Sequence, residues 1–222
     1  MKRLKDTFLD TIQSEVSFAG KTIFEVGCGD GARTVQMAEY SEYIVAIDPD
    51  AEKIQQAKIL NSKSNVTYSV GTAEKLPAED QSYDVVIFTL SLHHVTIDNM
   101  NLALDEAIRI VKKDGHIIFF EPAFSGSFFE AEFTFEACDG DERAEKAAAY
   151  ACMLSHPDLE EIVELHDETV FHFDSVEDFN VSMNPLLSGS KNDIRNFLEL
   201  YEYTLRADRR INIFQPRLDE TD

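Results

Sequence analysis

The chain has 222 residues, 44% of them hydrophobic, which is enough for one substantial domain with its own core. Its formal charge of −22 makes DNA and RNA poor partners, because binding them rests on Lys and Arg displacing counterions. Cys28, Cys138 and Cys152 form no CxxC pair and no even-numbered disulfide framework. No apolar run approaches the roughly 20 residues of a membrane span. The start of the chain lacks the apolar core and cleavage site of a signal peptide, so the expectation is a soluble, cytoplasmic protein. The acidity reads most simply as a solvated surface, with a salt-adapted host or a cationic partner as alternatives.

In chain order, Leu4, Phe8, Leu9, Ile12 and Val16 recur at helical spacing and predict an amphipathic helix over 4–18. Residues 22–27, "TIFEVG", predict a strand. Residues 32–41 predict a helix with Val35, Met37 and Ala38 inward. The apolar run 43–48 predicts a strand buried on both faces. Residues 50–62 predict a helix with Ile54, Ala57 and Ile59 inward, and 66–71 and 83–90 predict two more strands. Residues 98–113 predict a long helix ending on the C-cap signal Asp114-Gly115, followed by a strand over 116–122. Strands separated by helices imply parallel pairing in a Rossmann-like, doubly wound α/β sheet of about seven strands.

After Pro122 the pattern changes. Residues 124–166 read as acidic and helical, 168–175 as a strand, 176–183 as a short helix, 191–210 as a helix and 211–218 as a last strand. No Pro/Gly/Ser linker separates the halves, so one domain over 1–222 is expected: an N-terminal helix or lid (1–20), a core (21–122) and an acceptor side (123–222).

The chemistry concentrates in "FEVGCGDGARTV", residues 24–35. Three glycines at alternate positions follow the first core strand, where an open α/β sheet binds its ligands. Gly27-x-Gly29-x-x-Ala32 also satisfies the dinucleotide pattern, and Asp48 stands where a ribose-binding acid belongs. Glu25 and Asp30 discriminate. Two carboxylates would repel a pyrophosphate but favour an ammonium and a sulfonium. S-adenosylmethionine has the carboxylate, ammonium, ribose and adenine that such a turn would receive.

With "FEVGCGDGARTV", the segments "AIDPD" (46–50), "VGTAEKLP" (70–77), "YDVVIFTLSLHHV" (83–95) and "KKDGHIIFFEP" (112–122) stand in register. Over residues 20–122 the chain resembles the class I S-adenosylmethionine-dependent methyltransferases of the type 11 group, the small-molecule kind grouped with ubiquinone/menaquinone C-methyltransferases. The resemblance implies a cofactor held by Glu25, Gly27, Cys28, Gly29, Gly31, Asp48, Pro49, Thr72, Ala73, Glu74, Thr89 and Leu90. Thr72 departs from the pattern, which often has Asp there. Its hydroxyl, Glu74 or the amide of Ala73 would meet the adenine instead.

Methyl transfer from a sulfonium needs alignment and water exclusion, and a general base only when the acceptor is protonated. The candidate bases are His93, His94 and Glu121, each of which could equally shape its turn. "FSGSFFEAEFTF" (124–135) is either a lid over an apolar acceptor or a helix core face. Cys138, Cys152 and His156 fit no zinc spacing, so no metal is expected. His166 and His172 read as surface or core residues. The alternatives to a small-molecule methyltransferase are a non-catalytic S-adenosylmethionine-binding protein, an NAD-dependent Rossmann oxidoreductase, and an enzyme with a macromolecular acceptor.

Overall fold

The computed structural model describes residues 1–138, 140–186 and 191–217. Leu218, the end of the expected last strand, and Asp139 in the acidic run lie outside them. The chain runs β1 (Lys2–Asp6), α1 (Phe8–Gln13), β2 (Thr22–Val26), α2 (Thr34–Met37), β3 (Tyr43–Asp48), α3 (Ala51–Leu60), β4 (Val66–Val70), β5 (Tyr83–Thr89), α4 (Met100–Ile110) and β6 (Val111–Pro122). It continues with α5 (Ser127–Phe135), α6 (Arg143–Ser155), β7 (Leu159–His172), α7 (Val176–Met183), α8 (Lys191–Leu200) and β8 (Thr204–Pro216). Two short 3-10 turns follow β5.

The strands form one sheet in the order β1-β7-β8-β6-β5-β2-β3-β4. The five strands from β6 to β4 pair in parallel. The expected Rossmann-like α/β architecture is therefore present, with eight strands rather than about seven. From β2 the chain winds outward through β3 and β4, then crosses back to place β5 on the other side of β2. The carboxyl ends of β2 and β5 thus flank the point where winding reverses, which is where such sheets open a crevice.

Apolar side chains cover both faces of this sheet. Phe8, Ile12, Phe18 and Phe120 belong to one buried layer, and Phe24, Phe88, Phe119 and Leu104 to the other. A third cluster joins α5, α7 and α8 to the ends of β7 and β8 through Phe128, Phe173, Phe179 and Leu198.

Several boundaries differ from the sequence expectations, mostly because long-range pairing overrides local periodicity. The expected 4–18 helix is a strand followed by a shorter helix. Lys2–Asp6 pairs with β7, Leu4 is exposed, and Phe8, Leu9, Ile12 and Val16 are buried as expected. The expected 32–41 helix contains only four α-helical residues, and Val35 is only partly buried. Ile59 is exposed rather than inward. The 98–113 helix stops at Ile110 because Val111 already pairs with Tyr83. Gly115 is no C-cap. It lies inside β6, where an added Cβ would stand 2.8 Å from the Asp84 carbonyl.

The two largest revisions lie beyond Pro122. β7 begins at Leu159, inside the stretch expected to be helical, and α8 ends at Leu200 instead of continuing to 210. β7 and β8 pair antiparallel from Leu159↔Pro216 to His172↔Thr204. Leu205, Ala207, Ile211 and Ile213 are buried at period two, a strand signal that helical spacing concealed.

The α1 helix is part of the core. Phe8 is fully buried, its ring 5.3 Å from that of Phe120. Phe8→Ala is therefore expected to lower stability by about 3–5 kcal/mol. Urea denaturation checks this, and a loss below about 1 kcal/mol would mean that α1 detaches without disturbing the core.

Candidate functional site

The turn after β2 is built by its glycines. Gly27, Gly29 and Gly31 have φ of +78°, +55° and +79°. A Cβ on Gly27 would stand 2.2 Å from the Cβ of Ser91, so the turn packs directly on the segment after β5. A Cβ on Gly31 would stand 2.6 Å from the Tyr68 hydroxyl. Gly29 meets nothing within 4 Å there and lines a cavity of about 660 Å³.

Asp48, at the end of β3, locks this turn in place. One carboxylate oxygen accepts from the Gly29 amide at 2.8 Å, and the other accepts from the Asp50 amide at 2.9 Å. Asp50 in turn caps α3 by accepting from the amides of Glu52 and Lys53. Leu90 closes the opposite wall. Its amide donates to the Phe120 carbonyl at 2.7 Å, and its φ of +55° is a strained value for a branched side chain.

Of the twelve residues singled out for a cofactor, ten lie in the cavity wall: Gly27, Cys28, Gly29, Asp48, Pro49, Thr72, Ala73, Glu74, Thr89 and Leu90. Gly31 is set back against Tyr68. Glu25 is fully buried beneath the turn and accepts from the Thr34 hydroxyl at 2.6 Å. Burial pushes its carboxyl up to about 7, against the opposing pull of the Thr34 and Thr89 hydroxyls. Asp30 does reach the wall.

The candidate bases separate. Glu121 is buried and accepts from the amides of Ser91 and Leu92 at 2.9 and 2.8 Å, and it pairs with Nδ1 of buried His93. Burial would raise this carboxyl, yet His93 and the two amides hold it below the usual range. His94 lines the cavity, and its Nδ1 is 3.3 Å from Glu142 at the start of α6. Burial also acts to raise Glu142, but His94, His93 and Lys146 bring it down to about 2.

His93, His94 and Glu142 could converge on a cation, with ligand atoms all within 4.8 Å of one another. The Lys146 ammonium already stands 3.3 Å from Glu142 and supplies its positive charge. Cys152 approaches Asn101, and His156 approaches Asp105. His172 meets Thr204, and His166 is exposed. In the aromatic stretch, Phe128 and Phe135 are core residues, Phe124 and Phe133 are exposed, and none of the five phenylalanines lines the cavity.

The structure adds Arg3, Arg33, Lys53 and Ser91 to the wall, and Glu142 beside it. Arg33 was findable, because it starts the helix after the glycine turn. Arg3 and Glu142 come from distant segments and left no local signal.

Residues 24–119 match the methyltransferase domain family. Over that stretch, less than half of the chain, the protein is similar to a methyltransferase domain. An uncharacterized methyltransferase of Anoxybacillus flavithermus is 27% identical over 119 residues, which cover 54% of this chain and 54% of that protein. The ubiquinone biosynthesis O-methyltransferase of Paraburkholderia xenovorans is 33% identical over 115 residues, covering 50% and 48%. The chain thus spans about half the length of these relatives. The N-methyltransferase NodS of Bradyrhizobium japonicum WM9, solved with S-adenosyl-L-homocysteine, superposes with a TM-score of 0.56 over 94% of this chain and 86% of NodS, at 13% identity. Among the described residues no helix is long and apolar enough to cross a membrane.

The Glu25 carboxyl gives a testable pH dependence. Its folded value of about 7 lies above the ordinary 4.5, so between these values the folded protein keeps a proton that the unfolded chain releases. Stability therefore falls as pH rises through this window and levels off above it. Glu25→Gln is expected to flatten this slope and to gain up to roughly 3 kcal/mol at pH 8. Urea denaturation of both proteins at pH 5 and pH 8 measures it. The same pH dependence in both would show that Glu25 does not titrate there.

Proposed function

We propose that this chain transfers a methyl group from S-adenosylmethionine to a small-molecule acceptor by in-line displacement. The observation that carries the reading is the charge around the glycine turn, where Asp30, Asp48, Asp50 and Glu74 all line the cavity. Such walls oppose a diphosphate and suit a ligand bearing an ammonium and a sulfonium. The matched family and the O- and N-methyltransferase relatives support the same reading.

The donor set fits the cofactor. The open approach at Gly29, with Gly27, Cys28 and Asp30, would take the amino-acid tail. Asp48 would hold the ribose hydroxyls through the remaining lone pairs of its carboxylate. Pro49, Thr72, Ala73 and Glu74 would flank the adenine, with the Thr72 hydroxyl in place of a charged acceptor. Glu25 and Gly31 act from beneath, supporting the turn through Thr34 and Tyr68. When bound, the cofactor supplies an electrophilic methyl group on an excellent leaving group.

The protein's own contribution is alignment. Glu121 and His93 hold the segment after β5 and are engaged with each other, so they fix geometry rather than accept a proton from the acceptor. His94 is the member of the three that faces the cavity. Glu142 brings the start of α6 beside His94 at the cavity rim.

Calorimetry tests this reading. S-adenosyl-L-homocysteine is expected to bind, and NAD is not. Asp48→Ala should weaken S-adenosyl-L-homocysteine by more than about tenfold, or roughly 1.4 kcal/mol. Binding of NAD alone, or an unchanged dissociation constant in the variant, would contradict it.

A further inference from the structure

Resting on the methyltransferase reading, we propose that the acceptor carries an oxyanion, a carboxylate or a phosphate, which is received between Arg33 and Arg209 at the acceptor side of the cavity.

The argument starts from Arg209. This residue lies on β8 opposite Pro122, at the carboxyl end of β6. That places it on the edge of the sheet where the cavity opens. It is 9% exposed, and its Nε is buried with no hydrogen-bond partner among the described residues. Among the described residues its guanidinium makes one long bond, 3.5 Å, to the Asp208 carbonyl. Among the described residues no carboxylate lies within 4 Å of it. A buried guanidinium without a counter-ion is costly to keep, and such a group is retained where something else supplies the anion.

The neighbouring carboxylates are already matched. Asp6 is shared by Arg3 at 3.0 Å and Arg33 at 3.1 Å. Glu132 faces Lys146 at 3.4 Å, and Glu121 is paired with His93. Among the described residues, buried Arg209 and Arg210 are both left without an ion pair, but the Arg210 guanidinium lies over the Tyr150 ring at 3.6 Å, and Arg209 has no such ring. Burial and the nearby Arg33 bring its pKa down to about 10, against the pull of Glu132, Asp6 and Glu121. By strand alternation Arg209 shares a face of β8 with Ile211 and Ile213, in the buried layer of Phe8 and Phe120, over whose rings Arg33 lies. Two guanidiniums on one such layer are the arrangement an oxyanion relieves.

Arg33 connects this cation to the cavity. It lines the wall, and its Nε is also buried without a partner. Its guanidinium carbon stands 5.5 Å from the Phe8 ring centroid and 5.2 Å from that of Phe120, which fixes its plane. Arg209 itself is not in the cavity wall, so the oxyanion would enter past Arg33. A diphosphate cofactor is not the source of this charge, because the carboxylates of Asp30 and Asp48 guard the glycine turn. An acceptor anion held at the other end of the cavity leaves the rest of that molecule facing the methyl position.

The test uses the full chain loaded with S-adenosyl-L-homocysteine. Butanoate, inorganic phosphate and neutral butanamide are titrated by calorimetry into the wild type, Arg209→Met, Arg209→Lys and Arg206→Met. Arg206 is a nearby exposed control that pairs with Glu168. Butanoate or phosphate should bind the wild type and Arg206→Met, weaken at least tenfold in Arg209→Met, and weaken less in Arg209→Lys. Butanamide should not bind. Without ligand, Arg209→Met should melt at or above the wild-type temperature, because a buried unpaired charge has been removed. Equal oxyanion affinity in wild type and Arg209→Met, no oxyanion binding to the wild type, or binding of butanamide as tight as butanoate would overturn the proposal. So would a melting temperature lower by more than about 4 °C in Arg209→Met, which would give Arg209 a structural role. S-adenosyl-L-homocysteine binding is measured first in every protein. Its absence would remove the methyltransferase reading, whereas its presence without oxyanion discrimination would remove this inference alone.

Discussion

The site is organised by a carboxylate held between two backbone amides. Asp48 accepts from Gly29 on one side and from Asp50 on the other, and so joins the turn after β2 to the start of α3. Charge-assisted bonds of this kind are among the stronger ones a backbone can receive. The three left-handed glycines make the turn tight, and the near contact of Gly27 with Ser91 lays it against the segment after β5. The cavity exists because these two walls and the tip of β3 are held at fixed separation. Glu25 supports the same turn from below, at the expense of a carboxyl that burial drives towards its neutral form.

Charge is sorted along the cavity. Carboxylates gather at the glycine turn, where the proposed cofactor presents its positive groups. Arg3 and Arg33 also line the cavity, and Arg209 on β8 lies outside its wall, where the proposed acceptor would present a negative group. Between them, Glu121 ties His93 and two amides into a single buried unit. That unit leaves orientation as its contribution. The matched stretch is similar to a methyltransferase domain, and the proposed acceptor chemistry draws on Arg33 inside that stretch and Arg209 beyond it.

The core was legible in the sequence because parallel strands announce themselves. The runs 43–48 and 83–90 are apolar on both faces, and the glycine turn and Asp48 sit at fixed distance from the strand ends. Those features are local. What was not legible depends on partners far along the chain. Lys2–Asp6 becomes a strand only because β7 offers it an edge, and 204–216 becomes a strand through pairing with both β6 and β7. The burial of Glu25 is hidden from the sequence for a related reason. Sequence puts an acid beside the turn, but strand alternation and Thr34 decide that it points into the core. Arg209 falls inside the expected helix 191–210, and its lack of an ion pair among the described residues shows only once the sheet is assembled.

A crystal structure with S-adenosyl-L-homocysteine bound tests the central claim most directly. The amino-acid tail of the ligand is expected on the Gly27–Gly29 turn, with its ribose on Asp48. A ligand whose ribose lies away from Asp48, or a bound diphosphate lying across that turn, would contradict the account.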